Sequence, residues 1–323
     1  MSTNLKISGK LPEVEQAVKT VKRNFDCQYE SDYKRNQGSP NYRKYMKVRE
    51  LTMKPIIIAV ANQKGGVGKT TTARAILTKM AEKGFRCLGI DLDSQGNLSQ
   101  GFGIDFPEDL HDQGSAALLA GYLRGERDLL PYITRIENKH PFDLLVGNDA
   151  LDDMDELLIK KGEGVSLYTL KDALDAVQFD KKYHYIVIDC KPSITILTKA
   201  AMVAANGILI PVEPKYYSEK GLNRLLSTIY DIRRQTNPRL EIYGVLPNKV
   251  DDRQRQTKEF YQLMAQCFPE LPMYKGIPQS VSVSDTDAGG YMFARRSKAA
   301  IAAFDSFADE FLQRLEERRN EQL

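Results

Sequence analysis

The sequence contains no Cys-x-x-Cys pair. Its four cysteines, Cys27, Cys87, Cys190 and Cys267, are scattered through 323 residues. That spacing argues against a zinc or iron–sulfur site and for a reducing compartment. The three histidines, His111, His140 and His184, lie far apart without ligand spacing and read as ordinary surface or core residues. No apolar run approaches the roughly 18 residues of a membrane span. The opening MSTNLKISGK lacks the apolar core of a secretory signal. There is no internal repeat and no low-complexity tract. With 42% hydrophobic and 28% charged residues, the composition is that of an ordinary globular protein, expected in the cytoplasm.

The net charge is small but unevenly distributed. The net value is +3, yet residues 1–54 hold 12 Lys/Arg against 6 Asp/Glu, so the remainder is slightly acidic. This arm carries a short amphipathic stretch at 12–25, then Tyr33, Tyr42 and Tyr45 among Lys34, Arg35, Arg43, Lys44, Lys47 and Arg49. Basic residues interleaved with aromatics suit nucleic acid, but charge blocks are commonly solvated tails, so a solvated, partly helical or disordered arm is the preferred reading. The expected organisation is an arm over 1–54 and one domain over 55–323.

That domain is organised around 56–72, IIIAVANQKGGVGKTTT. An apolar strand runs into a glycine turn, and a helix opens at Thr70. Gly65, Gly66 and Gly68 have no Cβ, so the backbone between them, Val67 included, can wind tightly and aim N–H groups at an anion. The helix behind, from Lys69, Thr70 and Thr71, adds its positive end. Lys69 suits the β- and γ-phosphates of a nucleotide, and the Thr70 hydroxyl suits Mg²⁺. A glycine turn alone would not need the Lys-Thr pair in this order.

Beyond it, strands and helices alternate, as in a doubly wound, mostly parallel sheet flanked by helices. Strands are expected at 86–91, 142–146, 185–189, 207–212, 241–246 and 273–277. Helices are expected at 70–83, 115–123, 149–159, 166–177, 218–235 and 297–319. The strand at 86–91 ends in Asp91-Leu92-Asp93, and the strand at 185–189 ends in Asp189. Carboxylates there fall at the edge where open α/β sheets bind ligands. Asp189 would reach Mg²⁺, usually through water. Cys190, with no histidine near it in sequence, reads as a small core residue.

The loop KGGVGKTT, with its second lysine Lys64, resembles the deviant phosphate loop of the ParA/MinD ATPases. DLDSQGN at 91–97, Asp189-Cys190-Lys191-Pro192-Ser193, the EPKYYSEKGL junction at 213–222 and Ile277-Pro278 are similar to further motifs of that family, over roughly 55–319. Ser94 and Lys191 stand where those motifs usually have proline. The resemblance implies a P-loop ATPase with ATP and Mg²⁺ as cofactors. It implies that Lys64 reaches the partner's nucleotide in an ATP-dependent homodimer. Asp93 would position the attacking water and contribute to the metal site with Thr70 and Asp189, while Asp91 supports the metal or Lys69. Asn248 and Pro278 would contact the adenine. Lys191 would alter switching or add a contact across the dimer.

Arg233, Arg234, Arg253, Arg255 and Lys258 form a second basic concentration. It suits nonspecific DNA, and it equally suits a solvated helix face. The implied activity is ATP hydrolysis that moves or spaces plasmid or chromosomal DNA on the nucleoid, with a ParB-type adaptor. Other readings are a positioning ATPase for a protein cargo, a MinD-like division regulator and a P-loop biosynthetic enzyme. The polar EERRNEQL after the last helix offers no apolar face for a membrane, which favours ParA over MinD.

Overall fold

Five residues, Ile56–Val60, form strand β1, and the sheet extends outward from it on both sides. The computed structural model describes residues 54–104, 110–176, 182–215, 218–279 and 298–321. The expected basic arm, apart from Lys54, lies outside them, as does the 280–285 segment after Pro278.

The other strands are β2 (Cys87–Leu92), β3 (Thr134–Ile136), β4 (Phe142–Leu145), β5 (Tyr185–Cys190), β6 (Gly207–Val212) and β7 (Glu241–Pro247). Their order is β3-β4-β2-β5-β1-β6-β7, and all pairs are parallel except β3 with β4. The helices are α1 (Lys69–Glu82), α2 (Asn97–Gly101), α3 (Gly114–Leu123), α4 (Ala150–Lys161), α5 (Glu163–Ser166), α6 (Thr169–Ala176), α7 (Ile196–Ala204), α8 (Ser218–Gln235), α9 (Arg255–Cys267) and α10 (Lys298–Glu321).

Both faces of the sheet are covered, and alternation along each strand divides its side chains between them. Ile58, Val60, Tyr185 and Val187 face a core shared with Ala73, Ile76, Leu77 and Met80 of α1 and Phe304, Phe307, Phe311 and Leu315 of α10. Ala59, Leu88, Ile90, Ile186, Ile188 and Ile208 face the opposite core, with residues of α3, α4, α6, α7 and α8. Burying a large apolar side chain contributes roughly 1.5–3 kcal/mol. The apolar stripe of α10 therefore does more to fix that helix than helix propensity does.

The chain runs from β1 past β5 to β2, later returns to β5, and then continues on the other side of β1 through β6 and β7. The order thus reverses around β1 and β5. Ligands of open α/β sheets bind at the carboxyl ends of the strands at such a point.

Four expectations change. The stretch 273–277 is not a strand: its Met273 makes an isolated bridge to Val245, and Pro278 just after it makes another to Val250. Pro272 and Pro278 have no N–H for a continuous ladder. The helix expected from 166 begins at Thr169, because Ser166 ends α5 and its hydroxyl donates back to the Leu158 carbonyl. The short antiparallel edge strand β3 and helix α9 were not foreseen.

Candidate phosphate-binding and hydrolysis site

The loop after β1 takes the shape its glycines permit. Gly66 and Gly68 have φ of 70° and 90°. Gly68 is also the residue on which α1 opens, with no side-chain cap and no acidic residue in the first turn, so the positive end of the helix faces the loop. The Lys69 ammonium folds back to donate to the Lys64 carbonyl at 3.1 Å, and the residue is only 6% exposed. Asn248, at the end of β7, donates from Nδ2 to the Val67 carbonyl at 2.9 Å. A Cβ on Gly68 would lie 2.6 Å from that same Nδ2.

Gly68→Ala therefore meets both a left-handed φ and a clash. It is expected to cost about 1–3 kcal/mol and to weaken nucleotide binding about tenfold or more, since that energy distorts the cradle itself. Thermal unfolding and titration with a fluorescent nucleotide check both effects.

Beside the loop stand three carboxylates with different surroundings. Asp189 is 1% exposed, and neither of its oxygens has a hydrogen-bond partner. Burial raises its pKa well above the ordinary carboxylate value, and the charge of Asp91 adds to this. The Thr70 hydroxyl and the Lys69 ammonium favour the ionised form without overcoming burial. Lys69 is the mirror case: burial lowers its pKa, while Asp189, Cys190 and Asp93 oppose the shift. Two buried groups of opposite charge, each short of counter-charge, suit a phosphate together with a cation. An unpartnered carboxylate beside a threonine hydroxyl fits Mg²⁺, which keeps several waters and needs few protein ligands. No cluster of three or more His, Cys, Asp or Glu placed to hold a metal occurs among the described residues.

Asp91 spends its carboxylate oxygens on the turn that follows it. Its Oδ2 accepts from the Ser99 N–H at 3.0 Å and the Ser99 hydroxyl at 2.8 Å, and its Oδ1 accepts from the Asp93 N–H at 3.1 Å. Burial pushes its pKa up to about 6 against those bonds. It is a buttress that fixes the turn carrying Asp93. Gly147 packs against it, since a Cβ there would lie 2.6 Å from the Asp91 carboxyl carbon. Asp93 itself is 8% exposed, and its Oδ1 accepts the Gln95 N–H. The Gly96 N–H closes the turn on the Asp93 carbonyl at 2.9 Å, so the turn is well tied with Ser94 in place of proline.

Lys64 extends to Glu213, Nζ to Oε2 at 3.2 Å, while Lys215 holds Oε1 at 2.6 Å. Burial alone would raise the Glu213 pKa, and the two lysines more than reverse this. Asn62 sets the loop entry, accepting from the Lys64 N–H and donating to the Pro211 carbonyl. A cavity of about 240 Å³ opens here, lined by Lys64, Val67 and Glu213 among others.

A protein-family profile described as an AAA domain matches residues 55–242. The chromosome partitioning protein ParA of Caulobacter vibrioides is 35% identical over 238 residues, 72% of this chain and 84% of that protein. The chain belongs to the ParA-type partition ATPases. The chromosome-partitioning ATPase Soj of Thermus thermophilus is 30% identical over 262 residues, 80% of this chain and 96% of its own. Among solved structures, cobyrinic acid a,c-diamide synthase from Mycobacterium smegmatis with bound ADP and magnesium superposes with a TM-score of 0.67. It is 31% identical and covers 81% of this chain and 96% of that one.

The matched 55–242 of this ParA-type chain holds the loop, Asp93, Asp189 and Glu213, while Asn248, Pro278 and α9 lie beyond it. Asn248 spends its amide nitrogen on the loop, and its buried Oδ1 has no partner. Pro278 bridges to Val250, two residues after Asn248. Of the basic candidates, Arg233 and Arg234 occupy the last turn of α8, whereas Arg253, Arg255 and Lys258 lie before and on the first turn of α9. All five are exposed. Three carry carboxylate partners of their own: Arg234 with Asp231, Arg253 with Asp251 and Arg255 with Glu259. Lys191 pairs with Asp152 and Asp155 of α4. Sequence reasoning missed Glu213, Asn62, Ser99 and Gly147. Only Glu213 had a signal, lying in the quoted EPK junction after β6.

Proposed function

We propose that this ParA-type chain binds ATP with Mg²⁺, dimerises face to face, holds DNA without sequence preference, and releases it on hydrolysis under the control of a ParB-type adaptor. The observation that carries the reading is Asp189, unpartnered and buried beside Thr70 and Lys69 where the sheet order reverses. Thr70 and Asp189 would hold the magnesium, with Asp93 nearby; when bound, the ion neutralises phosphate charge. Lys69 would neutralise the β- and γ-phosphates. The Asp93 carboxylate, fixed by the Asp91 buttress, would accept a hydrogen bond from the attacking water. Lys64 would leave Glu213 for the partner's phosphates. Such chemistry is positioning and charge stabilisation. Asn248 and Pro278 would contact the base.

DNA would be held by phosphate contacts from Arg233, Arg234, Arg253, Arg255 and Lys258, with strong salt dependence. The expected setting is the cytoplasm, on the nucleoid. No helix among the described residues is long and apolar enough to cross a membrane. The cargo is DNA in this reading. The likeness to a diamide synthase supports a second one, a biosynthetic enzyme on the same fold.

Asp93→Ala separates them. It is expected to keep ATP binding, lose about 10²-fold or more in hydrolysis, and stay on DNA for as long as ATP is present. Retention on a DNA surface at several salt concentrations, with turnover measured alongside, is the test. A variant that never engages DNA with ATP would favour the biosynthetic reading.

A further inference from the structure

Lys191 follows the metal carboxylate by two residues, and the sequence suggests a switch or a contact across the dimer. In the structure its ammonium is spent on α4, at 2.7 Å from Asp155 Oδ2 and 3.2 Å from Asp152 Oδ1. The side chains of Lys191 and Asp155 are 13% and 10% exposed, so water screens this pair little. The other Asp155 oxygen accepts the Leu197 N–H at 3.1 Å. One carboxylate from α4 thus grips both ends of the 191–197 segment.

The segment is also tied within itself. The Ser193 N–H donates to the Lys191 carbonyl at 2.8 Å, and the Thr198 hydroxyl donates to the Ser193 carbonyl at 2.8 Å. The Thr195 hydroxyl caps α7 by accepting the Thr198 N–H. These bonds tie the segment into one unit with the start of α7. One of its faces meets α4. The other faces the phosphate loop, with Pro192 Cβ 4.0 Å from the point a Cβ on Gly65 would occupy, so Pro192 borders Gly65 and leaves room for only a small residue there. Gly65 is the neighbour of Lys64, and Asp189 lies just before the segment.

The geometry points to Lys191 and Asp155 as a positioning pair for hydrolysis: the ion pair holds the segment that leaves Asp189 and keeps Pro192 at the edge of the phosphate loop beside Gly65. Lys191 therefore acts through the loop and not as a ligand of phosphate. This rests on the reading that the site binds and hydrolyses ATP.

Three variants test it in the full chain: Lys191→Met, Asp155→Asn and Lys191→Arg. Asp155→Asn retains an oxygen for the Leu197 N–H and the same volume, so it is expected to fold even where Lys191→Met leaves a buried carboxylate too costly to keep. Asp155→Asn and Lys191→Met should each lower kcat about five- to tenfold, with KM for ATP and affinity for a fluorescent ADP analogue within about twofold of the parent. The double variant should be no worse than either single one, because both remove the same interaction. Lys191→Arg should stay near the parent. Hydrogen exchange across 189–198 reads the pair without relying on turnover, and it should quicken in Lys191→Met and Asp155→Asn but not in Lys191→Arg. Unchanged exchange in Asp155→Asn would overturn the proposal. So would a Lys191→Met that loses ATP affinity while Asp155→Asn does not, since Lys191 would then be a phosphate ligand. Failure of the ATPase reading looks different: the parent and Lys69→Ala would share the same turnover while the exchange differences persist.

Discussion

Lys69→Ala should fold normally and hydrolyse ATP roughly a thousandfold more slowly than the parent, the scale of losing one preorganised charge-stabilising group in a dry site. The ammonium is almost wholly buried, and its hydrogen bond to the Lys64 carbonyl is to a neutral acceptor. Burial lowers its pKa, and Asp189, Cys190 and Asp93 only partly compensate. The fold therefore gains little from this charge, and truncation should leave the melting temperature without nucleotide unchanged or slightly higher. The nucleotide-dependent part should vanish. A ligand at about a hundred times its Kd stabilises by about 2.7 kcal/mol. The parent should show that rise in melting temperature with ATP and Mg²⁺, and Lys69→Ala should show almost none. Paired thermal scans and phosphate release make the measurement. Parent-like turnover in the variant would sink the assignment of the loop. A variant that melts much lower without nucleotide would mean that Lys69 supports the fold.

What the sequence revealed about this site follows from how local each part is. The phosphate loop is contiguous: the strand, the glycines and the lysine-threonine pair lie within 56–72, so their order predicts their shape. Asp189 was legible because three apolar residues run straight into it at the end of β5. The supports were not. Lys64 meets Glu213 across 149 residues, and Ser99 meets the Gly147 N–H across 48. Strand order brings these partners together, and strand order has no signature in either segment alone. The part Asp91 plays in the turn was hidden for the same reason. As one of two aspartates after a strand it resembles a ligand, and only the folded turn shows both its oxygens committed to Ser99 and Asp93. Helix α9 was read as charge because few of its positions, such as Phe260 and Met264, are buried and apolar. Strand β3 is three residues long and pairs only at the edge of the sheet, too short for alternation to register.

Lys64→Ala is expected to abolish ATP-dependent dimerisation while leaving nucleotide binding by the single chain within about twofold of the parent. The Lys64 side chain is 43% exposed and its ion pair with Glu213 is partly solvated, so removing it should cost the fold little. Glu213 would keep Lys215 at 2.6 Å and would not be left as a bare buried carboxylate. That second lysine also makes it inexpensive for Lys64 to leave Glu213 for a phosphate. In a twofold-symmetric dimer the contact occurs twice. At about 1.5–3 kcal/mol for each hydrogen bond to a charged group, losing both weakens the dimer by roughly two to four orders of magnitude. Sedimentation with a slowly hydrolysed ATP analogue measures this directly. Glu213→Gln supplies the opposite arm: with Lys64 held less firmly, dimers should form at a severalfold lower concentration of the analogue. If Lys64→Ala still dimerises with the analogue as the parent does, the lysine has no role across the interface. If Glu213→Gln dimerises less readily than the parent, Glu213 aims Lys64 at the partner and does not compete for it.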